Sequence, residues 1–387
     1  MESLTEISLK HILCFSHLRW DFVFQRPQHL LSRFAKDTMV YFFEEPVFDA
    51  PKENYLSISK RSEGINVVVP HLIEGAVPQT VNTALTMLLD KFLLDVKMDE
   101  WAFWYYTPMA YAFTNKYKPK VIIYDCMDEL SAFKFAPPEL ITLERMLIEK
   151  ADLVFTGGHS LYAAKKQLHS AIFPFPSSID KEHFAKAKQQ QEQPADQANI
   201  PGPRIGFFGV IDERFDIELI RNIAQERPNW QLILIGPVVK ISEDTLPKNS
   251  NIYYLGQKTY NELPAYLSGW DIALIPFALN ESTRYISPTK TLEYLAAGVP
   301  VVSTPIFDVI NPYGTSNLVH ISGNSEGFIK TIESELDKQD KGEWIRKVDE
   351  YMKDLSWDNT YMSMLTEIKK VFQNKNSTST VNKEAYV

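Results

Sequence analysis

Lys290 and Glu293 stand three residues apart in the stretch Ser287-Pro288-Thr289-Lys290-Thr291-Leu292-Glu293-Tyr294-Leu295-Ala296-Ala297-Gly298-Val299-Pro300-Val301-Val302. Ser287, Pro288, Thr289 and Lys290 at a helix start form a site for an anion. Free backbone N–H groups and the helix dipole add to the side-chain charge. Glu293, one turn further in, is placed to meet a sugar hydroxyl on a ligand anchored by its phosphates. The local pattern is loop, helix, stop and strand. Ser287 suits the cap, Pro288 the first helical position and Gly298 the position just past the end. Leu292, Leu295 and Ala296 fall on one helix face, and Val299–Val302 reads as a strand covered on both sides.

A second set of polar residues follows strand ends. Gly209, in Phe208-Gly209-Val210-Ile211-Asp212-Glu213-Arg214, lets the backbone approach a ligand, and Arg214 has a fork suited to phosphate oxygens. The alternative partner for Arg214 is a neighbouring Asp212, Glu213 or Asp216. Nearer the start of the chain, Trp20 offers a flat face for a sugar ring, with His17, Arg19 and Arg26 able to bind hydroxyls or an acceptor phosphate. Asp125 and Asp128 end an apolar run and suit hydrogen bonds to hydroxyls, or proton transfer, as well as helix capping. His159 follows Gly157-Gly158 and could shuttle a proton.

The segment 287–302 resembles the nucleotide-sugar motif of GT-B glycosyltransferases, in the group 1, family 4-like subgroup with Ser-Pro-x-Lys-x-x-Glu-Tyr-Leu-Ala-x-Gly-x-Pro-Val-Val. Trp20 to Gln28 and Tyr124-Asp125-Cys126-Met127-Asp128 are similar to stretches of bacterial relatives encoded with teichuronic-acid or capsule genes. The resemblance implies that Glu293 binds the ribose. It also implies that Gly209 and Arg214 face the sugar diphosphate, and that loops bearing Gly236, Gly256 and Tyr260 enclose the base. One position departs: many retaining members carry a second Glu eight residues before the first, where this chain has Tyr285.

The elements that must hold these groups alternate. Strands are expected at 11–16, 39–43, 65–69, 102–106, 121–126, 153–156 and 171–175, then at 204–208, 231–235, 252–255, 272–276, 300–303 and 318–321, with helical patterns between them. Such alternation gives α/β domains with largely parallel sheets. With 387 residues, two domains fit better than one. The expected division is 1–184, a polar linker at 185–203, 204–355, a helix at 356–373 and a flexible tail at 374–387. By resemblance the fold is GT-B: two Rossmann-like doubly wound domains facing a cleft, with the last helix crossing back to the first domain.

Net charge is −9 and evenly spread, which argues against nucleic acid as the ligand. Cys14 and Cys126 lie in apolar runs, as buried thiols of a reducing compartment do. Residues 1–6 lack a signal-peptide core, and the helical pattern from Val81 to Met98 is broken by charges. The expectation is a cytoplasmic protein, with peripheral membrane contact left open. The expected activity is transfer of a hexosyl group from a nucleotide-diphosphate sugar to a glycan or lipid-linked acceptor. The resemblance implies retention and neither a metal nor a cofactor. Alternatives are a GT-B epimerase and a non-catalytic nucleotide-sugar-binding scaffold. A dehydrogenase is disfavoured, since no Gly-x-Gly-x-x-Gly follows the first strand of either half.

Overall fold

A computed structural model describes residues 9–75, 77–189 and 191–384, without the side chains of 79 and 376–384. The expectation about a leader at residues 1–6 lies outside the described residues. The chain divides into two compact units. The first comprises Met1–Ser131, Phe135–Phe175 and Asp358–Val387, and the second Ala132–Lys134 and Pro176–Trp357.

The first unit holds β1 (His11–Phe15), β2 (Met39–Phe43), β3 (Val47–Ala50), β4 (Tyr55–Lys60), β5 (Ile65–Ile73), β6 (Trp101–Tyr105), β7 (Val121–Cys126), β8 (Leu153–Thr156) and β9 (Ile172–Pro174). They form one sheet in the order β3-β5-β2-β1-β6-β7-β8-β9, with β4 antiparallel to β5 and the other pairs parallel. Strands β1, β6 and β7 are apolar and almost wholly buried, as helices on both faces require. Strands β3 and β4 were not expected from the sequence. Much of both is exposed, so neither shows an apolar period. A polar chain ties them to β5: Ser57 Oγ lies 3.0 Å from His71 Nε2, and His71 Nδ1 lies 2.6 Å from Asp49.

The second unit holds β10 (Arg204–Phe208), β11 (Gln231–Ile235), β12 (Ile252–Tyr254), β13 (Ile272–Ile275), β14 (Val301–Ser303) and β15 (His320–Ile321). All neighbours are parallel, in the order β12-β11-β10-β13-β14-β15. The chain winds outward from β10 in one direction, then returns and winds in the other. This doubly wound order leaves a crevice between β10 and β13 at their carboxyl ends, where such sheets bind ligands.

Residues 176–203 belong to the second unit and are not a free linker. Ile179, Phe184, Ala187 and Ile200 are part of its core. Gln197 is fully buried; its amide accepts from the Trp270 indole N–H at 2.9 Å and donates to the Tyr266 carbonyl at 2.9 Å. A run that looks polar in sequence is thus held by specific partners. The last helix, Trp357–Glu384, outruns the expected end at 373, with no Gly or Pro to stop it. It docks on the first unit through the Arg33–Asp358 pair at 2.8 Å, the Phe34–Tyr361 ring contact and the Lys375–Asp152 pair at 2.6 Å.

Candidate functional site

The helix Lys290–Ala296 starts beside the crevice between β10 and β13. Its end is as the sequence implies. Gly298 has φ +75°, its N–H donates to the Leu295 carbonyl, and the Val299 N–H donates to that of Tyr294. Those two bonds are a Schellman closure, which satisfies carbonyls the helix would leave bare. Its start differs from expectation. The cap is Thr289, without a side-chain cap bond, and Ser287 lies outside the helix. The Pro288 and Thr289 carbonyls accept from the N–H groups of Thr291 and Leu292 at 3.1 Å each, tightening the first turn without a side chain.

Lys290 is half-buried, and its ammonium lies over two aromatic rings: 4.9 Å from the Phe277 centroid and 5.6 Å from that of Phe207. Phe207 belongs to β10, and Phe277 follows β13. Each cation–π contact is worth about 0.5–1 kcal/mol, and more where water is excluded. Together they set the charge at the crevice.

Gly209 closes the opposite side. A Cβ on it would lie 2.9 Å from Lys290 Cε and 3.3 Å from Nζ, so any larger residue displaces the lysine. Gly236 is tighter still. At φ +143°, its Cβ would fall 1.9 Å from the Gly209 carbonyl oxygen. Both a rare backbone conformation and a close approach therefore demand glycine there. Gly236→Ala is expected to cost about 2–3 kcal/mol from strain and displacement, read as a lower midpoint in urea unfolding.

Glu293 is half-buried by exposed area, yet its surroundings desolvate the carboxyl group, and Lys290 only partly offsets this. Its pKa is pushed up from 4.5 to about 7. Between those values the folded chain keeps a proton that the unfolded chain has lost, so stability falls as pH rises through the window. At about 1.4 kcal/mol per pH unit, the shift corresponds to roughly 3 kcal/mol. Chemical denaturation at pH 5 and pH 8 should show wild type losing about that much relative to Glu293→Gln.

Tyr294 was not singled out as a site residue from sequence. Its fully buried hydroxyl accepts from the Phe208 N–H at 3.0 Å, pinning the helix to the end of β10 next to Gly209. Its place directly after Glu293 in the motif was the available signal.

The other residues read as donor-binding take varied positions. Ser287, Pro288 and Thr289 are half-buried at the helix entry. Arg214 forms a two-pronged pair with Asp212, Nε at 3.0 and 3.1 Å and Nη2 at 2.7 Å, so its charge already has an internal partner. Gly256 has φ +69° and open space around it. The Tyr260 ring stacks on His183 at 4.3 Å, and its carbonyl accepts from His183 Nε2 at 2.9 Å, leaving one ring face covered. Arg284 lies over the Tyr285 ring at 5.3 Å.

In the first unit, Arg26 and Asp125 are buried against each other, with Nη2 at 2.8 Å and Nε at 3.1 Å from the carboxylate. Arg26 Nη1 donates to the Phe175 carbonyl at 2.6 Å. Burial raises the Asp125 pKa and Arg26 opposes it, while the Tyr106 hydroxyl lies beside the pair without closing an ordinary hydrogen bond. Two residues read as an acceptor ligand and a catalytic acid are thus held by one another in the interior. Trp20 is also corrected: it is buried and packs on Phe42 at 5.0 Å, so its ring is core and not a sugar platform. Arg19 is engaged by Glu44 at 2.9 Å and the Glu45 carbonyl at 2.6 Å. His17 and Asp128 are half-buried, and His159 is exposed at a helix start. The loops of Asp128 and His159 touch. A Cβ on Gly157 would lie 2.5 Å from the Met127 carbonyl oxygen, which explains that glycine by packing alone. Among the described residues no His, Cys, Asp and Glu group is arranged to hold a metal ion, and no helix is long and apolar enough to cross a membrane.

Two doubly wound, largely parallel sheets, the second with a cationic crevice at its switch point, define the GT-B glycosyltransferase fold. Residues 202–338, all within the second unit, match the family described as glycosyl transferases group 1. The chain is 25% identical over 221 residues to a Bacillus subtilis (strain 168) protein named as a teichuronic acid biosynthesis glycosyltransferase, TuaH; the match spans 52% of this chain and 54% of that relative. The chain thus spans about half the length of that curated relative. Among solved structures, sucrose-phosphate synthase from Thermosynechococcus elongatus superposes with TM-score 0.70 at 14% identity, covering 94% of this chain and 100% of that one. The E. coli trehalose-6-phosphate structure bound with UDP-2-fluoro glucose gives 0.68 at 14% identity, covering 94% and 99%. The catalytic domain of starch synthase IV from Arabidopsis thaliana, bound to ADP and acarbose, gives 0.64 at 11% identity, covering 94% and 99%.

Proposed function

We propose that this chain is a glycosyltransferase that takes a sugar from a nucleotide-diphosphate donor and transfers it to an acceptor hydroxyl. The observation that carries this reading is the Lys290 ammonium, fixed over Phe207 and Phe277 and against Gly209 at the switch point of the second sheet. A fixed cation there stabilises the charge that grows on the departing diphosphate, and its position costs no rearrangement during reaction. Lys290 takes the part a metal plays elsewhere, so the reaction needs none. Glu293, one turn along the same helix, accepts from the ribose hydroxyls. The outcome is retention at the anomeric carbon, and the product is a cell-surface polysaccharide or glycoconjugate assembled at the cytoplasmic side. The teichuronic-acid name of the Bacillus subtilis relative supports that setting.

The test is a thermal-shift series with UDP-, GDP-, ADP- and dTDP-sugars in chelator. One donor is expected to stabilise the protein selectively, UDP- and ADP-sugars being the first candidates from the ligands of the solved relatives. Equal and negligible shifts with all four, at millimolar concentration, would overturn the donor assignment.

A further inference from the structure

Away from the donor crevice, one group of residues in the first unit has the types, order and distances of an activated nucleophile. Ser57 Oγ on β4 lies 3.0 Å from His71 Nε2 on β5, and His71 Nδ1 lies 2.6 Å from Asp49 Oδ1 on β3. A carboxylate only accepts, so Nδ1 carries the proton and Nε2 offers its lone pair to the Ser57 hydroxyl. The Tyr55 ring stacks on the imidazole at 4.5 Å with 1° between the planes, which fixes the base in place. Nucleophile, base and orienting acid thus follow one another through hydrogen bonds, the arrangement that lets a serine hydroxyl attack a carbonyl. Ser57 and His71 are half-buried and Asp49 is exposed, so the serine lies within reach of a substrate. Among the described residues the Ser57 hydroxyl has no partner besides His71.

Such an attack also needs a donor for the oxygen that turns negative, and the sheet edge supplies one. The Arg61 N–H donates to the Ile65 carbonyl at 2.8 Å, so by alternation Ser59 with Val67 and Ser57 with Val69 exchange the ladder bonds between β4 and β5. Ile58 falls between them, opposite Val68. The Val68 carbonyl is turned the other way and accepts from the Glu44 N–H at 3.0 Å. Among the described strands β4 pairs with β5 alone, so the Ile58 N–H points outward from the edge of the sheet. The N–H just after a nucleophilic serine is an effective oxyanion donor. Tyr55, Val69 and Ile73 share the face of Ser57 and His71 and give it an open apolar rim. Arg61, on the same face, is committed to Asp21 at 2.6 Å and to Ser59 at 2.8 Å. The setting suits a small acyl group without charge.

We propose that Ser57, His71 and Asp49 form a second active centre, which hydrolyses esters of small uncharged acyl groups such as acetyl. Ser57 Oγ attacks the ester carbonyl carbon as its proton passes to His71 Nε2, and the carbonyl electron pair moves onto the oxygen beside the Ile58 N–H. The tetrahedral adduct then expels the alkoxide, which takes the proton from Nε2 and leaves as the alcohol. Water repeats the sequence on acyl-Ser57: it gives a proton to Nε2, its oxygen bonds to the acyl carbon, and Ser57 Oγ leaves and recovers the proton. The products are one alcohol and one carboxylic acid. Asp49 touches no reacting atom; it is a positioning residue that keeps the imidazole in the required tautomer. Nothing in this centre depends on the donor site of the second unit.

The experiment treats the full chain with an alkyl fluorophosphonate, which phosphonylates activated serines and releases fluoride, and follows p-nitrophenyl acetate hydrolysis in parallel. Intact mass should show one adduct, and peptide mapping should place it on Ser57. Ser57→Ala and His71→Gln should lose both the adduct and the acetate hydrolysis. Ser59→Ala, the neighbouring serine on the same face, should keep them within about twofold, since its hydroxyl is bonded to Arg61 and not to a base. Asp49→Asn should slow adduct formation about tenfold or more at an unchanged melting temperature, and Asp49→Glu should recover much of the rate, which a strand-tying role alone would not produce. No adduct in wild type, an adduct spread over other serines, or a Ser57 adduct formed at the wild-type rate in folded His71→Gln would overturn the assignment.

Discussion

Lys290→Ala should lower turnover of the nucleotide-sugar donor by about 10²–10³-fold, the usual cost of removing one fixed group that stabilises developing charge. The fold should survive, because the side chain is half-buried and sits at a helix start, while Leu292, Tyr294 and Leu295 hold the helix to the sheet. Removing the ammonium uncovers the faces of Phe207 and Phe277, a loss of about 1–2 kcal/mol from two cation–π contacts. Glu293 also loses the neighbour that favours its charged form, so its pKa should rise further. The measurement is single-turnover donor cleavage together with nucleoside-diphosphate affinity. Near-normal turnover in a folded Lys290→Ala protein would remove the basis of the donor site.

The largest stability effect is expected in the first unit. Arg26→Ala leaves the fully buried Asp125 carboxylate without its cation and strips the Phe175 carbonyl of a donor. Breaking a buried pair from one side costs about 3–5 kcal/mol. The sign with pH follows from Asp125. Without Arg26 its folded pKa rises further above the unfolded value, so the folded state holds an extra proton over a wider range. The deficit should therefore be smaller near pH 5 than near pH 8. Arg26→Leu combined with Asp125→Leu should recover much of the loss, since no charge is then left in the interior. Urea unfolding at both pH values checks all three. A deficit independent of pH would mean that the arginine stem, and not the ion pair, carries the effect.

What sequence reveals here depends on whether a residue's partner lies nearby in the chain or far away. Strand β11 is legible because Leu232–Ile235 is an unbroken apolar run, the mark of a parallel strand covered on both faces, and all of Gln231–Ile235 is buried. Gly298 is legible because the Schellman closure involves only Tyr294 to Val299. The crevice side of the donor site is partly legible: the spacing of Lys290 and Glu293 puts both on one helix, but the aromatic seat of the lysine comes from a strand and a strand-end loop, about eighty and thirteen residues before it.

Distant partners defeated the rest. Trp20 in a polar loop looks like a sugar platform until Phe42 covers it. Arg26 and Asp125 each look available, yet they are 99 residues apart and meet in the interior. Gln193 and Gln197 look like linker, but they bond to each other and Gln197 bonds to Trp270. Polar atoms gain their meaning from the partner that satisfies them, and no periodicity announces that partner.

The last helix has a consequence for how the chain is made. The first unit is closed by Asp358–Val387, whereas the second is almost entirely the single stretch Pro176–Trp357. During synthesis the second unit has all its strands before the first has received the helix that covers Phe34. The early half must therefore wait on the ribosome with an unfinished apolar face, while the later half can complete itself. Severing the chain near Trp357 would be felt not where the cut falls but at the beginning of the protein.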